Sequence, residues 1–308
     1  MKKWILKAVV QKIISYLPYR HRINYLFQKY ITKGVYLTNE YFEDRLTHAK
    51  SHIDTYNKHA LSVKGITSFE LGTGWYPVVP VSLFLTGAEK IYTVDISALC
   101  DKEKLLTTIK MFIDYKKSNE LNTYLNILPK KFDILLDLLE RAHELSFEEI
   151  LVKLNIVYLV QDARKLNLED DCIDLIHSNN TFEHVYPDIL ESLLIEFKRL
   201  INSKGVMSHF IDMSDHFAHF DKTISIYNFL KFSDKQWMFI DNAVQPQNRW
   251  RLADYQNLYK KLEINIVEIR DTRSDIEKLK SIRLHKKYHN INQEELAFSH
   301  CRLISFSA

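Results

Sequence analysis

From residue 65 onward, the chain alternates short apolar segments of strand character with longer segments of helical periodicity. The first five apolar segments are separated by helical patterns, which is the signature of a parallel sheet assembled from βαβ units. The alternation therefore predicts an α/β fold. The seven predicted strands are Ile66–Leu71, Lys90–Ile96, Asn155–Gln161, Ile173–Ser178, Gly205–Ile211, Ile264–Arg270 and Ala297–Phe306.

Two helical additions flank this pattern. Residues 1–60 have helical character, and no strand pattern precedes Gly65. The connection from Asp95 to Asn155 is much longer than one crossover helix requires. We therefore predict an N-terminal helical extension over residues 1–60 and a domain over residues 61–308 with a helical insert at about 100–154. The insert is either a structural cover for one sheet edge or a lid.

Charge and cysteine content exclude several classes of protein. A net charge of +3 is well short of the basic footprint of a dedicated nucleic-acid binder. Cys100, Cys172 and Cys301 lie far apart and lack metal-ligand spacing, so neither a disulfide framework nor a structural zinc site is expected. A reducing, cytoplasmic compartment is the expectation.

The chain has only 6 glycines in 308 residues, and two of them lie two positions apart. Gly72 and Gly74 follow the first predicted strand and precede an apolar helix, Val78–Leu85. Such a turn lets the backbone approach a ligand and aims the helix N-terminus at it. The second strand ends at Asp95, about 20 residues further on, where an acid binds ribose hydroxyls. The pattern predicts an adenosine-containing ligand.

Two common nucleotide-binding classes do not fit this turn. The third glycine of the dinucleotide fingerprint is replaced by Pro77, and the chain has no G-x-x-x-x-G-K-[ST] motif. Glu70, just before the turn, would repel a pyrophosphate but suits a cationic or polyhydroxyl ligand.

These residues resemble motifs of the class I S-adenosylmethionine-dependent methyltransferases, of the bacterial small-molecule or glycan type. Glu70–Gly74 resembles motif I, and Asp95 resembles the motif II acid. Gln161–Ala163 resembles the segment whose Asp contacts the adenine amino group. Cys172–Ser178, Phe182–Val185 and Lys198–Gly205 continue the match in order. The family's third glycine is Tyr76 here, which implies a bulkier loop.

The resemblance implies a Rossmann-like three-layer α/β/α sandwich with a seven-stranded, mostly parallel sheet. It also implies that the chain is an enzyme that uses S-adenosyl-L-methionine and releases S-adenosyl-L-homocysteine. The residues expected to bind this cofactor are Glu70, Gly72, Thr73, Gly74, Asp95, Ile96, Asp162, Ala163 and Ser178.

Residues after strands four and five are the candidates for chemistry, because ligands bind beyond the carboxyl ends of the strands. Methyl transfer is an in-line displacement that depends on alignment, and a hydroxyl acceptor also needs a general base. Asp212 or Asp215 could orient His216 as that base, and His184 is a further catalytic candidate. The alternatives are a surface loop and a buried structural histidine. No spacing demands a metal, so none is expected.

Expected acceptor contacts are Tyr76, Asn180, Asp215, Arg249 and Arg251, although the two arginines could equally pair with surface acids. The aromatic stretch from residue 221 to residue 250 is either core or a platform for a sugar or ring. We therefore expect a small-molecule or glycan acceptor. Residues 178–181 lack the N/D-P-P-Y of DNA amino methylation, so no DNA partner is expected. RNA methylation and non-catalytic cofactor binding remain the alternatives.

The N-terminal helical pattern has two interpretations. Apolar residues of the first 17 positions recur at helical spacing, and lysines lie largely off that stripe. The helix either caps the core or lies on an anionic membrane surface.

Overall fold

The computed structural model describes residues 2–28, 35–60 and 62–306. Gly34, expected in the extension, lies outside these ranges. The strands are β1 Thr67–Leu71, β2 Lys90–Asp95, β3 Ile156–Val160, β4 Ile173–Asn179, β5 Ile201–Asp212, β6 Asn265–Ser274 and β7 Phe298–Phe306. The helices are α1 Lys3–Ser15, α2 Arg20–Phe27, α3 Asn39–Ala60, α4 Val78–Thr86, α5 Lys102–Lys117, α6 Pro129–Glu140, α7 Phe147–Lys153, α8 Pro187–Leu200, α9 Phe217–Phe220, α10 Asp234–Ile240, α11 Leu252–Lys261, α12 Ile276–Lys280 and α13 Gln293–Leu296.

The strands form one sheet in the order β3-β2-β1-β4-β5-β7-β6. β1 pairs in parallel with β2 and with β4, and β2 pairs in parallel with β3. This arrangement confirms the predicted seven-stranded, mostly parallel sheet with flanking helices. Among the described residues, no helix combines the length and apolarity needed to cross a membrane.

Strand five differs from the prediction at its start. The strand was predicted to begin at Gly205, but β5 begins at Ile201 and Gly205 lies inside it. A Cβ atom at Gly205 would lie 2.5 Å from Cδ1 of Ile201. Glycine is therefore required here because a side chain has no room, and not because the chain turns.

The chain divides into two compact units. The first unit comprises Leu37–Asn179, Leu193–His209 and Ile304–Ala308. The second unit comprises Met1–Tyr36, Asn180–Ser192 and Phe210–Leu303. The predicted extension is thereby split, since α3 belongs to the first unit and α1 and α2 belong to the second.

An apolar core of the first unit includes side chains of the segment predicted as an insert. Leu105 and Phe112 of α5, Leu135 of α6 and Ile150 of α7 are fully buried in the same cluster as Ile91 of β2. Local signals start these helices, because Asp101 caps α5 and Ser146 forms a capping box with Glu149 at α7. Residues 100–154 thus contribute to the core that supports the strands.

The second unit is built around aromatic side chains. Trp4 and Ala8 of α1 pack in one cluster with Phe217, Phe229 and Trp237. The backbone N–H of Trp4 also donates to a carboxylate oxygen of Asp221 at 3.1 Å. Much of the aromatic stretch from residue 221 to residue 250 is therefore core, and one face of α1 covers it.

Candidate active site

The glycine turn links β1 to α4 within the first unit. Gly72 and Gly74 have φ angles of 88° and 67°, in the left-handed region that favours glycine. The N–H of Gly72 donates to the carbonyl of Val94 at 2.8 Å, which fixes the turn against the end of β2. Apart from its two chain neighbours, no described residue has an atom within 4 Å of the position that a Gly74 Cβ would take, so the space there is open.

Asp95 is held beside this turn at the carboxyl end of β2. Its Oδ2 accepts the Gly74 N–H at 3.2 Å, and its Oδ1 accepts the Ser97 N–H at 3.3 Å. The next side chain, Ile96, is 70% exposed although it is apolar. The structure therefore brings together the glycine pair and the acid that the sequence analysis connected, with an apolar surface beside them.

Residues 161–163 follow the neighbouring strand and lie next to Asp95. The Gln161 N–H donates to the Asp95 carbonyl at 3.0 Å. Ala163 is buried, and the exposed Asp162 accepts from both the backbone N–H and the Nε of Arg164. The Arg164 guanidinium holds the pKa of Asp162 below its ordinary value. A ligand that donates a hydrogen bond to Asp162 would share this carboxylate with Arg164.

Glu70 and Thr73 point their side chains into the sheet. Oε2 of Glu70 accepts from the Thr93 hydroxyl at 2.9 Å, and that hydroxyl lies 2.6 Å from the Thr73 hydroxyl. Oε1 of Glu70 is 4.0 Å from Nδ1 of His177. Burial raises the pKa of Glu70 to about 8. The carboxyl of Glu70 thus contacts side chains of the neighbouring strands. Of the residues at this turn, the glycines offer a ligand their backbone.

Ser178 lies in a buried polar layer that sequence reasoning missed. Its Oγ lies 2.8 Å from Nδ1 of His209. On α3, His52 contacts the Ser208 hydroxyl at 2.8 Å through Nδ1 and Oδ1 of Asn179 at 2.9 Å through Nε2. The only available sequence signal was a histidine at otherwise apolar strand positions. We infer that these contacts hold α3 against the sheet and fix the register of its strands.

The second unit contains the predicted pair of Asp212 and His216. Oδ2 of Asp212 lies 3.4 Å from Nε2 of His216, and Oδ1 lies 3.2 Å from Nε2 of His300. His219 approaches the same carboxylate at 3.8 Å. Burial opposes ionisation of Asp212, but its contacts with His216 and His300 outweigh burial and hold its pKa well below the ordinary value. His219 and His300 had no sequence signal, because each is brought to Asp212 by the fold.

His184 is fixed beside His216 by a short 3-10 turn, Phe182–His184. Its Nδ1 lies 2.6 Å from the Pro246 carbonyl, and its ring centroid is 4.8 Å from that of His216. Burial and the neighbouring His216 lower the pKa of His184 to about 4. The side chain of Asn248 donates to the carbonyls of Phe182 and Val185, which holds the turn in place.

Three of the expected acceptor contacts have structural partners. Arg249 donates to the carbonyls of Phe229 and Phe232 and pairs with Asp234. The buried Arg251 donates to three backbone carbonyls, those of Met213, Leu296 and Phe298. Asp215 is buried and accepts from the Phe217 N–H and the Asn228 amide. We therefore assign these three side chains to the stability of the second unit.

The other two expected contacts differ from each other. Tyr76 is half-buried and packs against the core of the first unit, with its ring edge-on to Tyr41. Asn180 has a φ of 50°, and its N–H donates to the Phe210 carbonyl. Within the described part of the chain, its buried Oδ1 has no hydrogen-bond partner. A buried acceptor of this kind is a candidate for contact with a ligand.

A narrow crevice opens beside His216 in the second unit. Its walls combine two aromatic rings with amide, carboxyl and ammonium groups. Among them, the Gln11 amide donates to Oε1 of Gln245 at 2.9 Å. The lining residues are Lys7, Gln11, His216, Phe217, Trp237, Asp241, Asn242, Gln245 and Gln247.

Comparison with known proteins identifies part of the chain. Residues 129–208 match the family model described as "Methyltransferase domain". The match confirms the resemblance to methyltransferases over the segment that includes β3, β4 and α8, with Asp162, Ser178 and His184. None of the curated proteins compared with the chain matches it.

Many solved structures resemble this chain at low identity. A Pyrococcus horikoshii protein is 15% identical, with a TM-score of 0.48 over 91% of this chain and 97% of its own. Magnesium protoporphyrin IX methyltransferase from Synechocystis, solved with bound SAH, is 11% identical, with a TM-score of 0.46 over 94% and 99%. A phosphoethanolamine N-methyltransferase of Haemonchus contortus is 13% identical, with a TM-score of 0.45 over 83% and 52%. These similarities are too distant to assign a substrate.

Proposed function

We propose that the protein transfers a methyl group from S-adenosyl-L-methionine to a hydroxyl of a small molecule or glycan. The observation that carries the proposal is the bond between the Gly74 N–H and the Asp95 carboxylate. This bond holds the Asp95 carboxylate beside the glycine turn, at the end of the second strand, where an acid would bind the ribose hydroxyls.

The residues around the turn fit this cofactor. The turn is open above Gly74, Asp95 is ionisable and partly accessible, and Ile96 offers an exposed apolar face for a base. Asp95 would hold the ribose hydroxyls, Ile96 and Ala163 would flank the adenine, and Asp162 would accept from its amino group. Bound there, S-adenosyl-L-methionine supplies an electrophilic methyl group on its sulfonium. Gly72 and Gly74 themselves contribute no side chain to that end of the site.

The narrow crevice of the second unit is where an acceptor hydroxyl would reach His216. Phe217 and Trp237 belong to the aromatic core, and Asn242 and Gln247 are buried, so the crevice would admit a hydroxyl group while the rest of the acceptor stays outside it. His216 is the general base in this proposal, because it lines the crevice and faces the ionised Asp212. Asp212 would stabilise the imidazolium that forms when His216 takes the hydroxyl proton.

Binding of the cofactor is tested by calorimetry with S-adenosyl-L-methionine. We expect saturable heat with the natural chain and about 10–100-fold weaker binding for Asp95→Asn, since a hydrogen bond to a charged group contributes about 1.5–3 kcal/mol. Glu103→Gln, on an exposed position of α5, is the matched control and should bind as the natural chain does. Absence of heat with the natural chain refutes the proposal.

The acceptor is tested by following transfer of labelled methyl groups. We expect label in a cell-envelope extract or its soluble sugars and none in RNA. Label in RNA alone would identify an RNA methyltransferase. Cofactor binding without any transfer would leave the non-catalytic alternative as the correct one.

We also propose that α1 lies on an anionic membrane surface. Leu6, Val9 and Ile13 are each about half exposed, on the side of α1 that is not packed in the core. Lys2 and Lys3 are exposed next to this apolar stripe. An apolar face flanked by lysines is the pattern of a helix that lies in the interface of an anionic bilayer.

A further inference from the structure

Three ligand-type side chains converge beside the crevice of the second unit. One ligand atom from each of Glu183, His184 and His216 can be chosen so that the three atoms lie within 4.8 Å of one another. Glu183 and His184 are consecutive, whereas His216 is more than thirty positions away. This separation explains why residue spacing predicted no metal site.

The environment of His184 prepares its ring to bind a metal. Because the Pro246 carbonyl can only accept, the Nδ1 of His184 at 2.6 Å must carry the hydrogen. In the neutral ring this leaves the lone pair on Nε2. A ligating histidine is usually held in this way, with its other nitrogen donating to a carbonyl or carboxylate.

The other two groups are also held in place. His216 has the Asp212 carboxylate 3.4 Å from its Nε2, the kind of acid partner that orients ligating histidines. The carboxylate of Glu183 is buried, and the Glu183 carbonyl accepts the Asn248 N–H at 2.9 Å. Glu183 and His184 therefore lie on a short turn held by Asn248, and His216 lies shortly after the end of β5.

We propose that Glu183, His184 and His216 bind a divalent transition-metal ion of the Zn²⁺ class. Two imidazoles and one carboxylate form a donor set suited to Zn²⁺, Co²⁺ or Fe²⁺, whereas Mg²⁺ and Ca²⁺ prefer oxygen ligands alone. Zn²⁺ binds such ligands at about 2.0–2.2 Å, so binding draws the three groups together. Three protein ligands leave a position open for an oxygen ligand.

This site goes beyond methyl transfer, which needs no metal. Nε2 of His216 faces Asp212, so a metal would occupy Nδ1 and prevent His216 from acting as the general base proposed above. The site is therefore tested on the chain without cofactor or acceptor. The full chain, stripped of metal with a chelator and dialysed, is titrated with Co²⁺, and its visible absorption is followed. Zn²⁺ is then added in competition. We expect visible bands that saturate at about one Co²⁺ per chain and disappear as Zn²⁺ displaces it. Zn²⁺ should also raise the melting temperature, because it binds the folded state.

Variants separate ligands from neighbours. Glu183→Gln and His184→Gln should lose the saturable bands while keeping the circular dichroism of the natural chain. His219→Ala is the control, because His219 lies near Asp212 but outside the set, and it should retain them. Absence of saturable bands in the natural chain, or their persistence in both ligand variants, overturns the metal site. Calorimetry with S-adenosyl-L-methionine on Glu183→Gln should show unchanged binding, so failure of the metal site is distinct from failure of the proposed function.

Discussion

Replacing Glu70 by glutamine should stabilise the chain at alkaline pH. Glu70 is 4% exposed, and burial raises its pKa from 4.5 to about 8. Below the unfolded pKa both states are protonated, and Glu70 adds no pH dependence. Between pH 4.5 and about pH 8, Glu70 has lost its proton in the unfolded chain but keeps it in the folded chain. The free energy of unfolding therefore falls as the pH rises through this range. Glutamine has no proton to lose and can still accept from Thr93.

The size of the effect follows from the width of the window. Each pH unit between 4.5 and about 8 lowers the free energy of unfolding by about 1.4 kcal/mol. The total lost above this window is about 5 kcal/mol. An amide that lacks a second partner in this buried position costs about 1–3 kcal/mol. The net gain for Glu70→Gln at about pH 8.5 is then about 2–4 kcal/mol.

The assay is thermal unfolding followed by circular dichroism at about pH 5 and about pH 8.5. We expect the variant to melt lower than the natural chain at the lower pH, where only the cost of the amide counts, and to melt higher at the upper pH. Glu89→Gln, at an exposed position before β2, is the control and should follow the natural chain at both. If Glu70→Gln melts lower than the natural chain at about pH 8.5, the reasoning is refuted.

Three further predictions concern the second unit. His216→Ala should lower turnover about 10²–10⁴-fold, as expected for loss of a general base, while calorimetry shows unchanged S-adenosyl-L-methionine binding; unchanged turnover would remove His216 from catalysis. Ile13→Asp should abolish sedimentation with anionic liposomes. Because Ile13 is exposed, the free energy of unfolding should change by less than about 0.5 kcal/mol. Liposome binding equal to that of the natural chain would contradict the membrane contact. Arg251→Met should destabilise the chain by about 3 kcal/mol or more in urea denaturation, since three buried carbonyls lose their donor, and a smaller loss would mean that solvent reaches them.

The strands were predictable because their signal is local. Apolar runs such as Ile173–Ser178 need only their own residues to indicate a buried strand. β5 was an exception at its start, because the polar stretch before Gly205 resembles a turn and gains its pairing from the sheet. The segment 100–154 was predicted as helical, but its place in the common core depends on packing against strands distant in sequence.

The same distinction holds for the candidate site. The proximity of Gly74 and Asp95 was predictable, since one βαβ unit carries both. The contact between His300 and Asp212 was not predictable, because the two residues are far apart in sequence and no motif connects them. The role of Arg251 was also not predictable, since nothing in its polar sequence segment indicates that its guanidinium is buried against backbone carbonyls.

The packing of α1 has a consequence for how the chain is made. Trp4 bonds to Asp221 and Gln11 bonds to Gln245, across 217 and 234 positions. Ribosomes add about 5–20 residues per second, so these partners are synthesised on the order of 10–50 s after the helix. Throughout that interval the helix has apolar residues uncovered on both faces. The helix is therefore buried late relative to its synthesis, and until then its apolar faces are a surface to which a chaperone can bind.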